Sequence, residues 1–250
     1  MEKVAFREAD LQVKCPLCRC KSGEFIYQYI VKTAASFLNL ARRYSHGEDN
    51  DELVRHYTQF AREEVDKIPS ELGAEAGVRA LHAEVLMMEG NYEEALAQAE
   101  LLYECYQNDF LHTLRTQCLI GEIHLRAGDY RKALETFTAA YGNFTEANCH
   151  LHAIEQRQIL SSMSRCHYEL KNYDRALGAG EMAVAMNRTY DGCYRYIALS
   201  WEALGNYERA KLTWMRAIRF ETPWDAKNVA SLHKSLKDLN ARIASQESQK

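Results

Sequence analysis

The sequence predicts an all-α fold, a solenoid of stacked helical hairpins ended by a C-terminal capping helix. Three observations carry that prediction. A phrase made of a turn-forming residue, a polar residue, a tyrosine and, three residues on, an alanine occurs four times: Gly90-Asn91-Tyr92 with Ala95, Gly128-Asp129-Tyr130 with Ala133, Lys171-Asn172-Tyr173 with Ala176, and Gly205-Asn206-Tyr207 with Ala210. Repetition at a period of tens of residues marks an array in which each unit buries its apolar face on the next. Between the phrases, apolar residues recur at three- and four-residue steps, the period of an amphipathic helix. Only three prolines and 12 glycines interrupt the 250 residues, so helix interiors are largely free of the two residues that most penalise them.

Residues 1–24 form a cysteine-bearing tail with Cys15-Pro16-Leu17-Cys18-Arg19-Cys20. Cys-Pro-x-Cys presents two thiolates to one zinc ion, and Cys20 offers a third ligand, but a closed structural site needs four. The next cysteine is Cys105, so a fourth ligand must come from His46, His56, a residue preceding this chain or a second molecule. Two readings stay open: a thiol-rich tail without metal, or an incomplete zinc site at Cys15, Cys18 and Cys20. The stretch resembles the final ligand pair of a RING zinc domain. It also resembles the cysteine tail behind the catalytic part of SET-type lysine methyltransferases, with Val13 where that tail carries its first cysteine. Either resemblance implies zinc as cofactor and a catalytic or ligase part that is not in this chain.

Residues 25–70 read as an atypical hairpin, a degenerate repeat or N-terminal cap. Ile26, Tyr29, Ile30, Thr33, Phe37, Leu40 and Ala41 outline one helix; the polar run from Ser45 to Asn50 breaks it; Leu53, Tyr57, Phe60, Ala61 and Val65 outline a second, which ends before Pro69.

Residues 71–222 hold the four phrases. Glycine at the first position ends a helix with a positive φ that side-chain-bearing residues resist, and alanine lets helix backbones approach. Lys171 breaks the pattern, leaving Asn172 as the residue expected to take the special backbone angle. The phrases resemble the tetratricopeptide repeat, a helix-turn-helix unit of about 34 residues. In register, Ile120 with Gly121 and His124, and Tyr194, Ile197, Ala198 and Trp201, fill first-helix positions; Phe137 with Ala140 and Trp214 with Ala217 fill second-helix ones. Ala99 and Gly180 occupy the large-residue slot, which predicts looser packing in the first and third units. The phrases stand 38, 43 and 34 residues apart. The excess is expected near Tyr106–Phe110 and Tyr141–Cys149, as extended connections or lengthened helices, with Gly142-Asn143 marking a break. The resemblance implies a right-handed superhelix.

Residues 223–250 form the cap. Pro223 suits a first helical turn, and Val229, Leu232, Leu236 and Leu239 make one apolar stripe opposite a charged face.

Composition bounds function. Lys and Arg total 31 against 35 Asp and Glu, a formal charge of −4, which lacks the basic excess that nucleic acid or an anionic membrane surface requires. No apolar run approaches the roughly 20 residues of a membrane span, and the Met1 end lacks a secretory pattern. Cys105, Cys118, Cys166 and Cys193 fall in helical patterns as small apolar residues, in keeping with a reducing compartment. The expectation is a soluble intracellular protein, cytoplasmic or nuclear.

No phosphate-binding glycine loop, Ser-His-Asp order or metalloprotease motif appears, so no catalytic residue is assigned. His124 and His167 occupy equivalent core positions of successive first helices. Cys149-His150-x-His152 and Cys166-His167 fall on one predicted helix about 16 residues, or roughly 24 Å, apart and cannot share an ion.

Tetratricopeptide stacks work through a concave wall of first helices. The register places Glu84 and Met87, then Arg115, Glu122 and Leu125, then Gln158, Arg165 and Tyr168, and finally Arg195 and Leu199 on that wall. Arginines from three successive units, Arg115, Arg165 and Arg195, form a cradle suited to carboxylates; otherwise they are ordinary solvated charges near Glu84 or Glu122. Some family members clamp the acidic C-terminus of a chaperone, but Ala80, Glu84, Leu119, Gln158 and Ser162 stand where those lysines and asparagines belong, which disfavours that partner. The function expected is a non-catalytic scaffold or adaptor that binds a peptide or partner helix through Arg115, Glu122, Gln158, Arg165, Tyr168 and Arg195. The alternative is the helical arm of a larger zinc-containing methyltransferase or ubiquitin ligase.

Overall fold

The computed structural model describes residues 22–44, 51–68, 76–106, 109–146, 153–187, 193–220 and 226–247. Cys15, Cys18, Cys20, the Cys149–His152 group and Trp224 lie outside them. Among the described residues there are eleven helices and no strand: α1 (Ser22–Tyr44), α2 (Asp51–Val65), α3 (Ala76–Glu89), α4 (Tyr92–Cys105), α5 (Phe110–Arg126), α6 (Tyr130–Glu146), α7 (Ala153–Glu169), α8 (Tyr173–Met186), α9 (Tyr194–Ala203), α10 (Tyr207–Phe220) and α11 (Ala226–Glu247).

Each phrase is a joint between two helices, built the same way four times. Asn91, Asp129, Asn172 and Asn206 donate their backbone N–H to the carbonyl five residues back, on Leu86, His124, His167 and Trp201, at 2.8–2.9 Å. The residue before each donates three residues back, at 2.8–3.3 Å. This pair of bonds satisfies two of the carbonyls a helix end leaves orphaned and needs a left-handed residue between helix and turn. Gly90, Gly128 and Gly205 supply it with φ of +87°, +83° and +74°. In the third joint Lys171 itself turns to φ +60°, while Asn172 stays at φ −89°; the expectation for Asn172 is thus corrected. The position is fixed by the two bonds, so whatever residue occupies it must adopt the angle. The same Asn or Asp then accepts, through its carbonyl, the first bond of the next helix, from Ala95, Ala133, Ala176 or Ala210 at 2.9–3.0 Å. One residue therefore closes one helix and opens another.

The chain divides into two compact units, with the division inside α4 between Gln98 and Ala99. In the first, α1 packs along α2 and α3 against both, around Leu38, Ala61, Val65, Leu81 and Val85. Arg42 pairs with Glu84 at 2.6 Å, and Arg62 forks onto Glu89. Met87 is 1% exposed, a core residue and not a wall residue as expected.

In the second unit α5 with α6, α7 with α8 and α9 with α10 form hairpins. Each second helix packs on the first helix of the next, and α11 closes on α10. Leu114, Leu125, Phe137, Ile159 and Cys166 make one core cluster; Tyr194, Trp214, Leu232 and Leu239 make another, joined by Leu236 and Ile243. Leu125, expected on the wall, is buried in the first of these. The helices around the long spacings are lengthened: α5, α6 and α7 have 17 residues each against 14 in α8 and α10. Gly142-Asn143 lies inside α6, so no break occurs there. Ala99 is fully buried. Gly180 is the opposite of a loose spot: a Cβ there would lie 2.6 Å from Ile197 Cγ1 and 3.0 Å from the Ser164 hydroxyl. Ile197 of the following hairpin has taken the space that the large residue would fill. Cys166 and Cys193 are buried as expected, but Cys105 is exposed.

Candidate functional site

The first helices of the second unit's hairpins also touch one another, α5 with α7 and α7 with α9, so their outward residues share a continuous wall. Tyr196 of α9 is the residue around which the expected ones gather. Its ring centroid is 5.8 Å from that of Tyr168, which lies 5.8 Å in turn from Tyr173. The Arg165 guanidinium lies over the Tyr196 ring, 5.9 Å from its centroid, in reach of a cation–π attraction. Burial raises the Tyr196 phenol above its ordinary value. Arg165 and Arg195 pull it back, and Glu169 and Glu122 push it further up. Tyr168 and Arg165 thus lie beside the Tyr196 ring, and charges of both signs, on Arg165, Arg195, Glu169 and Glu122, act on its phenol.

Arg115 and Gln158 are not part of this group. Arg115 is tied to Glu155 of α7 at 3.0 Å, and Gln158 is exposed on α7. Glu122 accepts from Arg126 at 3.1 Å on its own helix. The expected row of three arginines is thus replaced by a mixed patch in which α5 has one arginine paired with α7 and one paired within the helix. Arg165 differs: its Nε is buried and without a hydrogen-bond partner among the described residues.

Tyr196 is not among the expected contact residues, and Tyr194 and Ile197 bracket it as core residues. The available signal was its place directly after Arg195 and three before Leu199 on the same helix. Glu202 was missed as well. Its carboxylate accepts from Trp214 Nε1 at 2.7 Å and pairs with Arg242 of α11 at 2.8 Å.

His167 is buried, as expected of a core histidine, whereas His124 is only half-buried. Burial lowers both below the usual imidazole value, with Lys132 and Arg175 respectively adding to the effect. Burial pushes the Cys118 and Cys166 thiols up to about 12, so neither is a ready nucleophile. Among the described residues no group of three or more His, Cys, Asp or Glu side chains is placed to hold a metal ion, and no helix is long and apolar enough to cross a membrane.

Residues 78–146 match the tetratricopeptide repeat family. No curated protein sequence matches the chain. Among solved structures, Pseudomonas aeruginosa pilF is similar with a TM-score of 0.55 at 14% identity, over 88% of this chain and 93% of its own. A Podospora anserina putative kinesin light chain with nearly identical repeats of this type aligns at 0.53 and 16%, over 81% and 99%. BtubC from P. vanneervenii aligns at 0.52 and 13%, over 77% and 90%. Such identities speak for fold alone. Taken with the four joints and the family match over residues 78–146, they show an all-α stack of helical hairpins of the tetratricopeptide-repeat type.

Proposed function

We propose that this protein is a non-catalytic scaffold that holds a peptide or partner helix on the wall formed by α5, α7 and α9. The observation that supports this reading is the patch around Tyr196. Two partly exposed tyrosines and the Arg165 guanidinium sit together on three different turns of two helices. Aromatic rings beside an arginine are the composition that dominates binding energy at protein interfaces. The mixed charges of Glu122, Glu169, Arg165 and Arg195 suit a partner carrying both signs better than a uniformly acidic tail.

The test is affinity capture from the native cell with the full chain and with Arg165→Glu combined with Arg195→Glu, both checked for unchanged helicity. Partners of the wall should be captured by the first and lost by the second. Recovery of the same proteins by both would sink the assignment.

A further inference from the structure

A different surface of the second unit carries a row of exposed arginines. The second helices α8 and α10 border a cleft of about 460 Å³, lined also by Ile197 and Trp201 of α9. Along α10, Arg209, Leu212, Met215, Arg216 and Arg219 are all exposed, at the three- and four-residue steps of a single helical face. Leu212 is 55% and Met215 51% exposed. Among the described residues, Arg209, Lys211 and Arg216 make no ion pair; the Arg209 guanidinium lies instead 4.7 Å from the Trp201 ring centroid, over the cleft. On the wall, by contrast, Arg115 and Arg126 are both matched with glutamates. Across the cleft from these cations stands Glu181 of α8, also in no ion pair among the described residues.

We propose that the α8–α10 cleft docks an amphipathic helix of a partner protein, with an apolar side chain against Leu212 and Ile197 and an acidic edge along Arg209 and Arg216. Three features select this occupant. The exposed leucine and methionine supply the apolar anchor that a helix-in-groove contact needs. The unneutralised arginines supply charge complementarity, which sets specificity and association rate. Glu181 on the opposite border makes the cleft polar from side to side, so it orients a helix with acid on one edge only. That asymmetry favours a helix over an anionic lipid surface, which would meet Glu181 with repulsion.

The test uses the full chain and a synthetic fluorescent helix with leucines at every third or fourth position and glutamates along one edge. A counterpart with lysines on that edge and phosphatidylcholine–phosphatidylserine vesicles are run beside it. The glutamate peptide should bind at least about tenfold more tightly than the lysine peptide. Arg209→Glu with Arg216→Glu should invert that preference, and Leu212→Asp should abolish binding of both; all these positions are exposed, so helicity should be unchanged. Arg165→Glu should leave the peptide affinity untouched, which separates this surface from the wall. Equal affinity for the two peptides, no binding of either, an unaltered preference after charge reversal, or retention on vesicles without peptide binding would each overturn the proposal.

Discussion

At the scale of single residues, two glycines two positions apart in α8 have opposite meanings. A Cβ at Gly178 would meet no atom within 4 Å, whereas one at Gly180 would run into Ile197. Gly178→Ala should therefore stabilise the protein by about 1 kcal/mol through helix propensity, and Gly180→Ala should destabilise it by about 1–3 kcal/mol through overpacking. Urea denaturation of both variants checks the contrast; a shift of the same sign in both would show that the close approach is not real. Sequence pattern could find the Gly180 slot but not its occupant. The slot is defined by position within one unit, and the side chain that fills it comes from the next. Lys171 shows the converse: the joint was legible, but which residue bears the positive φ follows from two backbone bonds that residue type alone does not reveal.

At the scale of elements, helices and their joints were legible because period and turn chemistry are local. Helix lengths were less so. Gly142 reads as a breaker, yet α6 runs through it to Glu146, since a single glycine costs a helix only about 1 kcal/mol, which Phe137 and Ala140 offset by packing. Of the candidate site, the register placed Arg165 and Tyr168 on α7 and Arg195 on α9, but pairings such as Arg115 with Glu155 depend on side chains 40 residues apart. The link between α9, α10 and α11 through Glu202 was not legible for the same reason. Its side chain is only 8% exposed, and the Trp214 indole it accepts from is buried. Glu202→Leu should cost about 1–3 kcal/mol by stranding that N–H. Glu202→Gln keeps the acceptor and gives up only the pair with the largely exposed Arg242, a loss below about 1 kcal/mol. Equal thermal shifts for the two variants would show that the indole bond contributes nothing.

At the scale of the whole molecule, one buried and two half-buried histidines tie stability to pH. His82, His124 and His167 all sit below the ordinary imidazole value of 6.5, in each case chiefly through burial, with Arg62, Lys132 and Arg175 adding to it. The unfolded chain takes up protons at 6.5 that the folded one refuses until lower pH. Their stabilising contribution is therefore complete above 6.5 and is lost as pH falls from there through the lowered folded values. Urea midpoints should drop between about pH 7.5 and about pH 5.5, and His167→Phe should flatten that slope; an unchanged slope would remove His167 from the account. The single-residue joints bear on how such a chain tolerates insertions and deletions. One added residue at Asn91, Asp129, Asn172 or Asn206 would rotate the following helix by about 100°, turning its tyrosine and alanine away from their neighbours. Changes of length are tolerated only between hairpins or along helices, which is where the 38- and 43-residue spacings have put them.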